Sequence, residues 1–202
     1  MASRSSVVLR DATPEDAGPL AGLWAENAKV SGGHGDEAFA HQNLWHEPAD
    51  DEAAEALALH LQNPRKRIIV AVLDDAIVGA TVCELTTATP VTMTRTLLVT
   101  DILVAPEHRR RSIALTLLSA VASYGEENEV EVVVAAIPTR AREPHRYLTK
   151  IGFSQVAVVR AIQASKLRAQ VSSRATQSRD TGRLIAVRRT LRRRQGQRSS
   201  DA

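Results

Sequence analysis

Apolar residues recur along the chain at two spacings, which predict where it forms helices and where it forms strands. Spacings of three and four residues, as from Leu20 to Leu23 and from Trp24 to Ala28, predict helices. Short β-branched runs such as 67–73 predict strands. The predicted elements are a strand at 7–10, helices at 14–30 and 50–62, strands at 67–73, 76–85 and 91–104, a helix between Pro106 and Gly125, a strand at 130–137, a short helix at 142–150, and strands at 153–162 and 184–191.

The order of these elements predicts the fold class. We expect an α/β (α+β) protein with a mixed, mostly antiparallel twisted sheet of about seven strands, flanked by about four helices. The strand at 130–137 is continuously apolar, which is typical of a strand buried on both faces. The Ser- and Arg-rich segment 164–182 is expected to be a loop. We expect one domain over residues 1–191, followed by a basic, disordered tail at 192–202.

The composition excludes several classes of protein. The chain has 202 residues and one cysteine, Cys83, so a disulfide framework and a Cys-based zinc site are both excluded. It contains no run of about 18 apolar residues, so we expect no membrane span. The first ten residues lack the apolar stretch of a secretory signal. We therefore expect a cytoplasmic protein.

The net charge of +3 conceals a segregation of charge along the chain. From Ala164 onward 11 Lys and Arg residues stand against 2 acids, whereas the preceding residues carry 15 basic and 21 acidic side chains. Segment 31–64 contains seven acids and no Lys or Arg. Because an acidic surface attracts cations, this segment favours a cationic partner, although a solvated acidic helix is an equal alternative.

Residues 101–118 combine a strand, a cationic loop and a helix start. The strand ends at Val104, Pro106 interrupts the ladder, and three arginines precede the helix. The free N–H groups at a helix N-terminus attract anions, and small residues there admit phosphates close to the backbone. This pattern predicts an anion site, although a basic surface turn is the structural alternative.

These residues resemble the signature of the GNAT family of N-acetyltransferases, V-x-P-x-x-[RQ]-x-x-G-x-[GA]-x-x-L-L. The chain departs from it at Ser112, where the family usually has glycine. A second family feature is Tyr-x-x-x-x-Gly-Phe, present as Tyr147 to Gly152-Phe153. The resemblance covers about residues 7–191. The signature positions are occupied here by Val104, Pro106, Arg109, Ser112, Ala114, Leu117 and Leu118.

The resemblance implies that acetyl-CoA is the co-substrate. Its pantetheine arm would bond to the backbone at Ile102, Leu103 and Val104. Its pyrophosphate would bind the loop and helix start, formed by Arg109, Arg110, Arg111, Ser112, Ile113 and Ala114. A backbone N–H near Leu103 or Val104 would polarise the thioester carbonyl. We expect no metal site, because His34, His41 and His46 fit no standard zinc spacing.

Acetyl transfer to an amine needs a base for the amine and an acid for the departing thiolate. The resemblance assigns the acid to Tyr147. Relatives often place a glutamate base at the positions of Leu98 and Ala135 here, and an asparagine at that of Arg140. We therefore predict Asp101 as the base. Glu84 and His145 remain alternatives.

The predicted function is transfer of acetyl from acetyl-CoA to a primary amine, of a small molecule or a protein, by direct attack in a ternary complex. The alternative is a non-catalytic acyl-CoA-binding or regulatory relative. Trp24 and Trp45 could line the acceptor site or anchor the core. We do not expect nucleic-acid binding, although the basic tail would allow it. Either a monomer or a homodimer is compatible with the sequence.

Overall fold

A computed structural model describes residues 6–31, 47–138 and 141–174. The predicted last strand at 184–191, the tail, Trp45 and Arg140 lie outside the described residues. The elements, in chain order, are β1 Val8–Asp11, α1 Ala17–Ser31, α2 Asp50–Leu61, β2 Lys66–Leu73, β3 Ala76–Thr87, β4 Arg95–Val104, α3 Ile113–Glu127, β5 Val132–Ala135, α4 Arg142–Ile151 and a further helix, α5, at 164–174.

The five strands form one sheet in the order β1-β2-β3-β4-β5. Neighbouring strands are antiparallel except β4 and β5, which are parallel. The parallel pair is joined through α3, as its crossover connection requires. The predicted fold class, an α/β protein with a mixed and mostly antiparallel sheet, is confirmed, with five strands in the described residues rather than about seven.

Four local predictions were wrong. The strand predicted at 91–104 begins only at Arg95, and β5 is short, with Val132 46% exposed rather than buried on both faces. Residues 153–162 form no strand, since β-branched residues favour a strand only when a neighbour pairs with it. Segment 164–174 is helical rather than a loop, because its Ala, Lys, Leu, Arg and Gln residues are strong helix formers.

The chain divides into two compact units, Met1–Gln155 and Val156–Ala202. The first unit contains the whole sheet, α1 to α4 and every predicted site residue. The second unit contains α5 within its described part. The prediction of one domain over residues 1–191 stays a prediction.

Helices α1 and α2 pack on one face of the sheet and α3 packs on the other. Successive side chains of a strand point to opposite faces, so β2 and β3 supply alternate residues to two cores. The core on the α1/α2 face includes Leu20, Leu23, Leu57, Ile68, Val70 and Ala80. The core on the α3 face includes Ile69, Ala71, Val78, Ile113 and Leu117.

Gly79 allows α3 to lie close to the sheet. The register of β2 with β3 passes from Ala71–Gly79 to Val72–Ile77, so Val78 is the extra residue of a β-bulge. A Cβ atom at Gly79 would lie 3.0 Å from the Leu103 carbonyl oxygen and 3.0 Å from Cγ2 of Ile113. The absence of a side chain at Gly79 therefore lets the start of α3 and the Leu103 carbonyl both lie close to this point of β3.

An ion pair between the exposed Arg10 and the buried Asp16 closes the turn between β1 and α1. Asp16 is 6% exposed, and its two carboxylate oxygens accept bonds of 2.6 and 2.8 Å from the Arg10 guanidinium. The Thr13 N–H donates a further bond of 2.8 Å to Asp16. The hydrogen bond from Arg10, together with the bond from Thr13, lowers the pKa of Asp16 below its ordinary value, against the opposing effect of burial.

Replacing Asp16 by asparagine is expected to lower the free energy of unfolding at neutral pH by about 1.5–3 kcal/mol. A lowered folded-state pKa stabilises the fold above the unfolded pKa, and this contribution is lost as the pH falls through the folded pKa. Urea unfolding across the acidic range should therefore show a loss in the parent chain that Asp16→Asn lacks. Asp11→Asn, at an exposed pair with Arg67, is the control and should change stability by less than about 1 kcal/mol.

Candidate functional site

The second half of β4 has a free edge in the described part of the chain. Strand β5 pairs with β4 only from Thr96 to Val99, and the last bond joins the Ala136 N–H to the Val99 carbonyl at 2.8 Å. On its other side β4 stays paired with β3 as far as Val104. The two parallel strands therefore separate just where the sequence predicts cofactor contacts.

The free edge presents backbone groups of alternate residues. Ala105 N–H donates to the Val78 carbonyl at 2.9 Å, so the strand alternation turns Leu103 toward β3 and turns Ile102 and Val104 toward the free edge. Of the three predicted backbone contacts, Ile102 and Val104 therefore offer their own N–H and C=O groups. Leu103 faces the neighbouring strand instead, and its side chain packs on the α1/α2 face.

The loop after β4 leads directly into the N-terminus of α3. Pro106–His108 forms a single 3-10 turn, and Arg110 and Ser112 then adopt left-handed backbone conformations with φ of 63° and 61°. Ser112 is the N-cap of α3, and the first helical bond runs from Thr116 N–H to the Ser112 carbonyl at 3.0 Å. The N–H groups that begin α3, including those of Ile113 and Ala114, thus have no carbonyl within the helix to bind.

The three arginines of this loop differ in their surroundings. Arg109 is half-buried, and its Nη2 donates a bond of 3.0 Å to Oδ1 of Asn27 on α1. Arg110 and Arg111 are exposed. The Arg110 side chain is 91% exposed, with its guanidinium 3.8 Å from the Glu143 carboxylate on α4. The guanidinia of Arg110 and Arg111 are therefore accessible to an anion at the helix start.

Asp101 lies at a bulge at the beginning of the free edge. The register passes from Val82–Asp101 to Cys83–Val99, so Thr100 is the extra residue. The Asp101 carbonyl accepts a bond of 2.9 Å from the Thr81 hydroxyl. Because bulges redirect side chains, the carboxylate of Asp101 does not follow the regular alternation of the strand.

The environment of Asp101 makes its carboxyl a stronger base than usual. Burial raises its pKa above the ordinary value. Smaller effects of the Thr100, Trp24 and His60 side chains oppose that shift. The pKa of His60 is itself lowered, by burial and by Lys66, whose Nζ lies 3.3 Å from Nδ1 of His60. The neutral form of the imidazole is therefore favoured beside a carboxyl of raised pKa.

Tyr147 lies on α4, which ends in the glycine of the second motif. Gly152 has φ 110°, and the N–H groups of Gly152 and Phe153 both donate to the Leu148 carbonyl, at 3.1 and 3.0 Å. This left-handed cap needs a residue without Cβ strain, which explains the glycine. Tyr147 is half-buried, and burial raises the pKa of its hydroxyl, which keeps the proton on Oη at neutral pH.

The other candidate residues have more ordinary surroundings. Glu84 lies 3.8 Å from Nζ of Lys66, and Nε2 of His145 lies 3.1 Å from the Pro138 carbonyl. Cys83 is fully buried on the α3 face, and burial raises the pKa of its thiol to about 11. Within the described residues, no three His, Cys, Asp or Glu side chains are close enough to hold a metal ion.

Sequence reasoning missed Asn27 and His60. Asn27 lies on α1 and belongs to no sequence motif. His60 lies on the acidic helix α2 and belongs to no motif either. Only the packing of α1 and α2 on the sheet brings them to Arg109 and Asp101, so the sequence carries no local signal for either contact.

Residues 36–153, more than half of the chain, match the sequence model of the family described as "Acetyltransferase (GNAT) family". The chain belongs to the GNAT acetyltransferase family. The prediction from the two motifs is thereby confirmed, and so is the cofactor, since GNAT acetyltransferases use acetyl-CoA. The wider assignment as an acyltransferase is supported in the same way.

Solved structures share the fold of this GNAT chain at low identity. A transcriptional regulator from Bacillus halodurans C-125 has a TM-score of 0.65 at 13% identity, covering 78% of this chain and 99% of that chain. The aminoglycoside N-acetyltransferase AAC(6')-Iy in complex with CoA has a TM-score of 0.61 at 16% identity, covering 81% and 97%.

A ribosomal-protein-alanine N-acetyltransferase from Brucella melitensis biovar Abortus 2308 has a TM-score of 0.60 at 23% identity, covering 78% of this chain and 99% of that chain. No curated protein matches the chain by sequence. At these identities, the structural likeness shows the fold alone. In the described residues, no helix is both long and apolar enough to cross a membrane.

The residues at the GNAT site fit acetyl-CoA by their chemistry. The amides of a pantetheine arm need backbone N–H and C=O partners, which the free edge of β4 offers at Ile102 and Val104. Pyrophosphate needs N–H donors and cations, which the start of α3 and the exposed Arg110 and Arg111 offer. The cofactor supplies the activated acetyl group. The individual contacts stay predictions.

Replacing Ser112 by glycine is expected to stabilise the fold by about 0.5–1 kcal/mol. The left-handed conformation costs an L-residue about 1–2 kcal/mol, and the greater entropy of glycine in the unfolded state offsets part of the gain from relieving it. It should also tighten acetyl-CoA binding, since the pyrophosphate can approach the backbone more closely. Urea unfolding and calorimetry measure the two effects. Ser119→Gly, at an exposed position inside α3, is the control and should destabilise. Weaker binding by Ser112→Gly would contradict the prediction.

Proposed function

We propose that the chain is an N-acetyltransferase that transfers acetyl from acetyl-CoA to a primary amine by direct attack in a ternary complex. The observation that carries the proposal is the position of Asp101. Its carboxyl has a raised pKa, and it occupies the bulge where the free edge of β4 begins. A base is therefore adjacent to the backbone that would hold the thioester end of the cofactor.

Three groups of the chain each serve one part of the reaction: a base, a donor to the carbonyl oxygen and an acid. Asp101 accepts a proton from the incoming ammonium, directly or through water, so that the amine can attack. The Val104 N–H faces the free edge and can donate to the carbonyl oxygen as negative charge develops. Tyr147 retains its proton on Oη and donates it to the departing sulfur.

Direct attack is favoured over a covalent enzyme intermediate. Cys83 is the one cysteine of the chain, and its thiol is fully buried with a pKa of about 11. A nucleophilic cysteine needs a thiolate and access to the substrate, and Cys83 has neither. The state of Cys83 therefore favours attack of the amine on the acetyl group of the cofactor itself.

The acidic surface at the start of α2 favours a cationic acceptor of small-molecule or protein origin. The described acids of segment 47–61 are all exposed on α2 or just before it, and they are Glu47, Asp50, Asp51, Glu52 and Glu55. An acidic surface raises the local concentration of a polyamine, an aminoglycoside or a lysine side chain.

Release of free CoA thiol, with acetyl-CoA and a panel of these three amine classes, tests the proposal. Turnover with at least one class, together with acetylated amine detected by mass spectrometry, is the expected result. Binding of acetyl-CoA without turnover on any amine would favour the non-catalytic, regulatory alternative. Neither binding nor turnover would contradict both functions.

A further inference from the structure

The loop between β4 and α3 has a backbone that needs support from outside itself. Arg110 and Ser112 both have positive φ, and each such L-residue costs about 1 kcal/mol or more. Such conformations persist only where neighbouring structure holds them. Arg109, which lies between the 3-10 turn and these residues, makes a contact to another element that can supply this support.

That contact is the hydrogen bond from Nη2 of Arg109 to Oδ1 of Asn27, 3.0 Å long and spanning 82 positions of sequence. Asn27 is 9% exposed, and its Nδ2 donates to the Leu23 carbonyl of its own helix at 2.9 Å. This second bond fixes the amide orientation, because the flipped amide would set an NH₂ group against the guanidinium. Both polar atoms of Asn27 are therefore engaged.

The partner of Arg109 is neutral, which matters for a site that binds an anion. A carboxylate in place of the Asn27 amide would hold the guanidinium but cancel its charge. The Asn27 amide holds the guanidinium and leaves its positive charge available to an anion at the start of α3. The same helix also influences Asp101, since the Trp24 side chain on α1 lowers the pKa of its carboxyl. Helix α1 therefore contacts the loop and also affects the candidate base.

We propose that Asn27 is a positioning residue for acetyl-CoA: it anchors Arg109, and with it the loop, in the phosphate-binding conformation without neutralising the loop. The inference rests on the cofactor site described above and is independent of which amine accepts the acetyl group. Asn27 acts through Arg109 and touches no reacting atom.

Asn27→Ala is expected to weaken acetyl-CoA binding about tenfold, measured by calorimetry, with turnover at saturating acetyl-CoA changed less than twofold. In an Arg109→Ala background, Asn27→Ala should have no further effect on affinity, because its partner is already absent. Asn128→Ala is the matched control. Nδ2 of Asn128 bonds its i−4 carbonyl, that of Tyr124, at 2.8 Å, at the opposite end of α3 from the loop.

An equal loss of affinity in Asn27→Ala and Asn128→Ala would overturn the inference, and so would a full Asn27→Ala effect in the Arg109→Ala background. Asn27→Asp covers the case in which Asn27→Ala fails to fold. Its ion pair with Arg109 should keep the chain folded, although the unfolding temperature should fall somewhat because a carboxylate oxygen replaces the Nδ2 donor beside the Leu23 carbonyl. It should bind acetyl-CoA more weakly, since it cancels the charge of Arg109. Parent affinity in Asn27→Asp would overturn the role of the neutral amide. Absence of binding by the parent chain would instead contradict the cofactor site itself.

Discussion

Replacing Tyr147 by phenylalanine lowers the turnover number by about 100-fold and leaves the affinity for acetyl-CoA within twofold of the parent, if Tyr147 is the acid. The ring stays in place, so only the proton on Oη is removed. Burial raises the pKa of this hydroxyl, which keeps the acid form present throughout the neutral range. Turnover from thiol release and affinity from calorimetry measure the two quantities.

Tyr124 provides a matched control for this variant because it is the one other tyrosine of the chain. Tyr124 lies on α3, and burial raises the pKa of its hydroxyl as well. The Arg67 guanidinium lies over its ring, 4.8 Å from the ring centroid. Tyr124→Phe should leave turnover unchanged. Equal losses in the two variants would indicate a general effect of removing a hydroxyl, and unchanged turnover in Tyr147→Phe would remove Tyr147 from the mechanism.

Replacing Asp101 by asparagine is expected to lower kcat/KM at neutral pH by about 100-fold. The amide preserves the size of the side chain, but it cannot accept the proton of the amine. In the parent, burial raises the pKa of Asp101, so activity should fall with decreasing pH through a value above the usual 3.9 or so. The variant should lack this acidic limb, which a pH–rate profile measures.

Glu84→Gln is the control that distinguishes the two carboxyl candidates. Glu84 lies 3.8 Å from Nζ of Lys66, where a carboxylate is held as an ion pair. Its variant should keep the acidic limb and most of the activity. Loss of the limb in Glu84→Gln, with the limb retained in Asp101→Asn, would transfer the role of base to Glu84.

Local patterns predicted the parts of the fold that depend on neighbours in sequence. The helix of Asp50–Leu61, the end of the strand at Val104 and the loop and helix that follow it were predicted from apolar periodicity, from Pro106 and from small residues at the helix start. The left-handed Ser112 stands where the family usually has glycine, so the backbone requirement was visible in the motif even though the residue differs.

The remaining features depend on contacts that no local pattern encodes. The bulge at Thr100 arises from the register of β4 on β3, and it determines where the Asp101 carboxylate lies. Asn27 meets Arg109 across 82 positions only because α1 packs beside the loop. Segment 153–162 has strand-forming residues but no paired neighbour in the described chain, so local propensity alone gave the wrong element.

The unfolding temperature, measured with and without acetyl-CoA, tests the central claim most directly, because every assigned role depends on cofactor binding at the free edge of β4. At about 100 times the dissociation constant, a ligand that binds only the folded chain adds about 2.7 kcal/mol, which is about 5–10 °C for a chain of this size. We predict a rise of this order with acetyl-CoA, reduced in the Arg110→Ala/Arg111→Ala double variant. An unfolding temperature that does not respond to saturating acetyl-CoA would contradict the account.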